Sequence, residues 1–113
     1  MVERSGIRYP ETVDLVTQEK DGTVRLIVAE TEAITGDRVL ALQEKLKNYL
    51  SFASDGQLLA KYPNTRGASV RIRVDLYAQP DALALEFLRR FRLLALKESV
   101  DVELSIFQKD VTL

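Results

Sequence analysis

The sequence predicts an α+β protein, a two-layer sandwich in which two helices cover one face of a four-stranded mixed sheet. Six segments follow in the order strand, strand, helix, strand, helix, strand, and each has the hydrophobic period of its type. Each helical segment has one apolar stripe, and each strand segment has one consistently apolar side. A single core between one helical layer and one sheet satisfies all six segments.

The first two segments are typical of a β-hairpin. Residues 12–18 alternate in hydrophobicity, which turns Leu15 toward the core and Val16 outward. An Asp-Gly pair then supplies the positive φ that a tight turn requires. The return strand, residues 23–30, turns Ile27 outward as well.

A long amphipathic helix is predicted over residues 37–55. Its apolar side chains recur at spacings of three, four and seven residues: Val39, Leu42, Leu46, Tyr49, Leu50 and Ala53. The opposite face, which includes Lys45, is predicted to be solvated. Gly56 can adopt the left-handed conformation that ends a helix, and the chain then turns through residues 57–63.

Two further strands, residues 68–77 and 100–107, alternate apolar and polar side chains. Their outward residues include Arg71, Arg73, Asp101, Glu103 and Phe107. Between them, a second helix is predicted from about Pro80 to Glu98, because proline suits the first turn of a helix. Its apolar stripe is Leu83, Phe87, Leu88, Phe91, Leu94 and Ala95.

The connections predict the strand directions. Each strand-helix-strand passage should be a right-handed crossover, so the last three strands run parallel and only the first is antiparallel. The spatial order of the strands stays open at this point. If the third and fourth strands are neighbours, Arg71 and Arg73 face Asp101 and Glu103 across the sheet and form charge pairs.

The length of 113 residues is typical of a single domain. We assign residues 11–113 to a single α+β domain. Residues 1–10 have no periodic apolar face, so we expect a flexible N-terminal tail.

Charge and hydropathy argue against nucleic-acid and membrane partners. The chain has 16 Lys and Arg and 17 Asp and Glu, a net charge of −1. The arginines at 89, 90 and 92 splay around a helix instead of forming one stripe along it. No segment resembles a signal peptide or a membrane span, and cysteine is absent, so we expect a cytoplasmic protein.

The composition limits the available chemistry. The chain has neither histidine nor cysteine, so it lacks the usual general base and the preferred ligands of transition metals, and we predict no cofactor or metal site. Asp101 and Glu103 could form an acid-base pair, but salt bridges to the arginines are strongly favoured. Residues 35–37 could hold an anion at a helix start, although a simple cap is favoured.

Three segments resemble a family of small uncharacterised bacterial proteins. They are the QEKLKNYLSF stretch from Gln43, the SDGQL stretch from Ser54, and the Tyr62-Pro63 pair. The family has a QEKLNAYL-type helix, an SGQ-type helix end and a YP pair before the next strand. Its members often carry a Trp-Asp pair and a His near the helix start, where residues 32–38 of this chain have neither Trp nor His. The resemblance implies a family and no activity.

These observations favour a protein-interaction module, expected to be a homo-oligomer or to bind another protein through its open sheet face. That face combines apolar and charged residues on several strands. The candidate partner surface is Val16, Ile27, Arg71, Arg73, Asp101, Glu103 and Phe107.

Two alternatives remain. The first is a small-ligand site near the end of the first helix, formed by Gln43, Asn48, Gln57 and Tyr62. The second, less favoured, is a carboxylate-based enzyme.

Overall fold

Five strands form one mixed sheet in the computed structural model, which describes residues 5–113. In chain order, the elements are strands β1 (Leu15–Gln18) and β2 (Val24–Glu30), helices α1 (Val39–Ser54) and α2 (Gln57–Lys61), strand β3 (Val70–Leu76), helix α3 (Ala82–Leu96), and strands β4 (Val100–Ile106) and β5 (Lys109–Val111). Single turns of 3-10 helix lie at Gly36–Arg38 and Pro63–Thr65. The α+β class is confirmed.

The spatial order of the strands is β1-β2-β3-β4-β5. Strands β2, β3 and β4 are parallel, and β1 and β5 pair antiparallel at the two edges. The predicted parallel strands are therefore confirmed, and the third and fourth predicted strands are neighbours.

The prediction of four strands was wrong because it missed β5. A two-residue turn joins β4 to β5, and both of its residues have positive φ, 51° at Phe107 and 65° at Gln108. Such turns usually contain Gly, Asn or Asp, and this one contains none of them. The predicted last strand therefore ran on to Phe107, which lies in the turn.

Helix α2 was also missed, because residues 57–61 were predicted to be part of a turn. Gly56 has a φ of 94°, the left-handed conformation expected after α1, but the chain then begins one more helical turn. Leu58 of that turn is buried in the core. The burial of Leu58 stabilises a helix that is too short to form alone.

The core lies between the sheet and helices α1 and α3. Leu46 of α1 and Leu88 of α3 are fully buried, as their stripes predicted. The stripe of α3 was placed partly on the wrong side, since Leu83 is 62 % exposed and Leu94 is 57 % exposed. The buried side of α3 is formed by Ala84, Leu88, Phe91 and Ala95.

The side chains of strand β1 lie on the opposite sides of the sheet to those predicted. Val16 pairs with Leu26, so it lies on the helix side of the sheet and packs against the core. Leu15 pairs with Ile27 on the other side and is 51 % exposed. Apolar residues at both positions made the alternation ambiguous, and a one-residue slip exchanges the two faces of a strand.

The chain is packed from Gly6 onward, within the segment 1–10 that was predicted to be a flexible tail. Residues 1–4 of the predicted tail lie outside the described residues. Ile7 is 1 % exposed and belongs to the core. The backbone N–H of Gly6 donates to Asp14 Oδ2 at 3.0 Å, and that of Ile7 donates to Glu30 Oε1 at 3.0 Å.

Candidate functional site

Both long helices pack on one face of the sheet, and we call the opposite face the open face. Strand register arranges its side chains in three rows across the sheet. From the amino ends of the parallel strands to their carboxyl ends, the first row is Thr17, Arg25, Arg71 and Asp101, the second is Leu15, Ile27, Arg73 and Glu103, and the third is Ala29, Asp75, Ser105 and Asp110.

Glu103 lies at the centre of the charged side chains. Arg25 Nε donates to one carboxylate oxygen at 2.9 Å, and Arg71 Nη1 donates to the other at 3.0 Å. Arg73 Nη1 lies 3.9 Å from the first oxygen. Three arginines therefore converge on one carboxylate.

The remaining carboxylates of the open face are paired as well. Arg73 donates to Asp75 at 2.8 Å and to Asp110 at 3.1 Å. Asp101 accepts from Arg92 of α3 at 2.9 Å. Six charged side chains of the open face are only 22 % to 42 % exposed: Arg25, Arg71, Arg73, Asp75, Asp101 and Glu103.

The environment of Glu103 keeps it ionised. Its partial burial acts to raise its pKa, but the hydrogen bonds and positive charges of Arg25 and Arg71 outweigh this and lower the pKa. The predicted salt bridges of Asp101 and Glu103 are present. A carboxylate held in this way is a poor proton donor at neutral pH.

A cavity of about 220 Å³ borders this network beside β4 and β5. Its charged lining residues are Arg71, Arg73, Arg92, Asp101, Glu103 and Asp110. Each of them has an oppositely charged partner, so the cavity has no uncompensated charge for an ionic ligand. Within residues 5–113, no cluster of three or more side chains suits a metal ion.

The structure places most of the predicted partner residues on the open face. Ile27 lies there and is 9 % exposed, because neighbouring side chains cover it. Val16 does not, since it lies on the helix side. Phe107 is 59 % exposed in the β4–β5 turn, beyond the rows of the sheet. The other four predicted residues, Arg71, Arg73, Asp101 and Glu103, form the network described above.

Of the four residues predicted to bind a ligand, Gln57 and Tyr62 lie together. They line a groove of about 480 Å³ between residues 11–16 and α2, with the ring of Phe52 at its wall. Within residues 5–113, no buried side-chain nitrogen or oxygen lacks a hydrogen-bond partner, so no orphaned polar atom points into this groove.

The other two predicted ligand residues lie apart. Asn48 donates to the Pro10 carbonyl at 2.9 Å and borders a smaller neighbouring groove with Gln57. Gln43 lies five residues earlier on α1, about 140° around the helix, and lines neither groove. The predicted four-residue site is therefore divided.

The polar cluster that the sequence did not reveal is centred on Lys45. This side chain is fully buried, although a solvated position was predicted for it. Its ammonium group donates to Asp14 Oδ1 at 2.6 Å, to the Thr12 carbonyl at 2.6 Å and to the Tyr9 carbonyl at 2.8 Å. All three donors of the ammonium group are used.

Tyr49 completes what we call the Lys45 network, which consists of Lys45, Asp14 and Tyr49. The Tyr49 hydroxyl donates to the Ile27 carbonyl at 2.6 Å and accepts from the Asp14 N–H at 2.7 Å. Burial raises the pKa of Tyr49 well above the usual phenol value. The position of Lys45 between Leu42 and Tyr49, within the apolar stripe of α1, was the signal for its burial.

A family model described as a family of unknown function, DUF6572, matches residues 5–108. The chain belongs to the DUF6572 family. The match includes every element of this DUF6572 chain from the packed N-terminal segment to β4, and it ends before β5. No curated protein and no solved structure matches the chain. None of the helices formed by residues 5–113 has the length and hydrophobicity needed to cross a bilayer.

Proposed function

We propose that this DUF6572 protein is a protein-interaction module that associates with a second copy of itself through the open face. The observation that carries the proposal is the pairing of β2, β3 and β4 as parallel strands, while the helices formed by residues 5–113 pack on one face only. Sheets made only of parallel strands almost always have both faces covered, and the three central strands of this mixed sheet are parallel. A second copy supplies the missing cover.

The side chains of the open face suit a flat protein contact. Its charged side chains are paired with one another and only partly exposed, and arginine is enriched in protein interfaces. Leu15 adds an exposed apolar side chain directly beside Ile27. Both signs of charge are present, as a two-fold contact of one surface with its own copy requires.

A matched pair of variants tests the proposal by light scattering during gel filtration. Leu15→Asp places a charge on the open face, whereas Leu40→Asp places one on the helical layer, where Leu40 is 75 % exposed. We expect the parent and Leu40→Asp to have the mass of a dimer and Leu15→Asp to have that of a monomer. A monomeric parent, or equal behaviour of the two variants, would overturn the proposal.

A small-ligand-binding protein is the second candidate function. It is favoured by the groove near α2, where Val13, Phe52 and Tyr62 are only partly covered at the edge of the core. Gln57 and Lys61 supply polar groups at its rim. A fragment screen by saturation-transfer NMR tests it: hits should lose their signal in Phe52→Ala and keep it in Leu40→Ala.

The prediction of a bacterial, cytoplasmic protein accompanies the proposal. A fluorescent fusion in the source cell would test the location. Diffuse fluorescence throughout the cytoplasm is expected, and a signal confined to the envelope would contradict it.

A further inference from the structure

Strand β1 lies at one edge of the sheet, and some of its backbone groups face away from the sheet. In an antiparallel ladder, every second residue bonds to the neighbouring strand, and the residues between them direct their N–H and C=O groups to the other side. The Glu19 N–H donates to the Thr23 carbonyl at 2.8 Å, which sets this alternation. By register, Thr17 also bonds to β2, whereas Val16 and Gln18 direct their backbone groups outward.

The outward backbone groups of Val16 and Gln18 form what we call the free edge. Within residues 5–113, no backbone or side-chain group forms a hydrogen bond with them. Exposed edges are commonly protected by charged side chains or proline, and the opposite edge strand, β5, has Lys109 and Asp110. Strand β1 has the sequence LVTQ, with no charge and no proline. The free edge is therefore available to a further strand.

The groove of about 480 Å³ between residues 11–16 and α2 lies beside the free edge. Its apolar wall consists of side chains that are only partly buried: Val13, Val16, Phe52 and Tyr62. The backbone of Val16 belongs to the free edge, and its side chain belongs to this wall. A chain that pairs with Val16 therefore places the side chain opposite it against the apolar wall.

The groove follows the direction of β1. Gln57, the first residue of α2, lies near Glu11, since both also line the smaller neighbouring groove. Beyond the other end of α2, the Asn64 side chain donates to Gln18 Oε1 at 3.0 Å. This bond connects the two sides of the groove within the chain itself. A groove formed in advance lowers the entropic cost of binding.

An extended peptide is the partner that matches both features. Its main chain can bond to the free edge, while its alternate side chains enter the groove beside that edge. Two side chains that are two residues apart then face α2. Lys61, the charged residue of α2, is exposed at this rim, whereas Glu11 lies toward the smaller groove, which Lys61 does not line. An acidic side chain of the peptide complements the charge of Lys61.

We infer that the free edge binds an extended peptide segment of another protein, which becomes a sixth strand of the sheet. The segment places a large apolar side chain against the wall formed by Phe52 and Tyr62, and an acidic side chain two residues away at Lys61. The inference concerns the groove of the second candidate function, and it does not depend on association through the open face.

A displayed library of random ten-residue linear peptides, selected on the purified chain, supplies the probe. We expect the enriched peptides to share a large apolar residue and an acidic residue at a spacing of two. Selection that enriches no peptide, or only peptides without this spacing, would overturn the inference. Fragment hits in the groove would then leave the small-ligand function intact.

N-methylation of the most enriched peptide tests whether it binds as a strand. Each methyl group removes one N–H, and in a strand alternate N–H groups face the same neighbour. We expect the Kd, measured by calorimetry, to weaken by about tenfold or more at every second position, as the loss of one hydrogen bond implies, and to change little at the positions between. Equal effects at adjacent positions would overturn strand addition.

Charge reversal of Lys61 tests the acidic position with a matched control. Lys61→Glu should weaken the Kd of the same peptide by about fivefold, and a peptide with lysine in place of its acidic residue should regain that loss. Lys109→Glu, at an exposed position of the opposite edge strand, should leave the Kd unchanged. Equal effects of the two variants, or no rescue by the lysine peptide, would contradict the placement at Lys61.

The mass of the chain with and without the peptide separates this inference from the proposed function. We expect light scattering to show the same oligomer in both cases, because the free edge and the open face are different surfaces. A peptide that dissociates the oligomer would show that a second copy of the chain occupies the free edge, and the inference would be wrong. A monomeric parent that still binds the peptide would overturn the open-face proposal and leave the inference intact.

Discussion

Lys45 and Asp14 form a buried ion pair, with Nζ 2.6 Å from Oδ1 and side-chain exposures of 0 % and 2 %. The pair joins α1 to the segment before β1, and through Asp14 Oδ2 it also holds the N–H groups of Gly6 and Ala29. The N-terminal segment is therefore fastened to the domain by charge as well as by the burial of Ile7.

Removal of one member of this pair should be costly. Lys45→Met keeps the length of the side chain but leaves the Asp14 carboxylate buried without its counter-charge, so we expect a loss of about 3 to 5 kcal/mol in the free energy of unfolding. Lys47→Met, at an exposed position two residues further along α1, should change it by less than about 0.5 kcal/mol. Urea denaturation measures both, and equal losses would contradict the structure.

Tyr49→Phe removes a hydroxyl that joins two backbone groups. The Ile27 carbonyl and the Asp14 N–H lose their partner, which should cost about 1 to 3 kcal/mol at neutral pH. Because burial raises the pKa of Tyr49 in the folded state, the unfolded chain ionises first as the pH rises above about 10. The advantage of the parent over Tyr49→Phe should therefore shrink above that pH, and urea titrations over a pH series would show a constant difference if this is wrong.

Some of the site could be predicted from the sequence. Arg71 and Arg73 lie opposite Asp101 and Glu103, as the alternation within the two strands predicted. When the apolar residues of two neighbouring parallel strands are aligned, their charged residues are aligned too. The two long helices followed from their apolar stripes. Local periodicity was sufficient to predict an element and its buried side wherever one face of that element is buried and the other is not.

The rest depended on contacts between distant residues. Lys45 is 31 residues from Asp14, so its position on the apolar side of α1 gives no sign of which carboxylate compensates its burial. The facing of β1 is set by its pairing with β2, since its own apolar residues occupy both faces. The β4–β5 turn forms without the residues that usually adopt positive φ.

Glu103→Gln should lower the free energy of unfolding at neutral pH. The pKa of Glu103 is lowered in the folded state, so its contribution is present above the unfolded pKa of about 4.3 and is lost as the pH falls. We expect a loss of about 1 kcal/mol at pH 7 that disappears in acid, whereas Glu98→Gln at an exposed position should change little. A difference that persists in acid would show that the charge of Glu103 is not responsible.

Gly6→Ala tests the docking of the N-terminal segment. Gly6 has a φ of 94°, and a Cβ added there would lie 3.0 Å from Glu30 Oε1. Gly22 has a φ of 93°, and an added Cβ would meet nothing within 4 Å. Both substitutions incur the backbone strain of about 1 kcal/mol, and Gly6→Ala should cost more because Glu30 must move. Thermal unfolding that ranks Gly22→Ala as the more damaging change would contradict this packing.

Sedimentation equilibrium of the unmodified chain, at several concentrations and two salt concentrations, tests the central claim most directly. We expect one monomer-dimer equilibrium that fits all concentrations. Added salt should shift it toward monomer, because it screens the charges of the open face. A single monomer mass at every concentration and salt would contradict association through the open face.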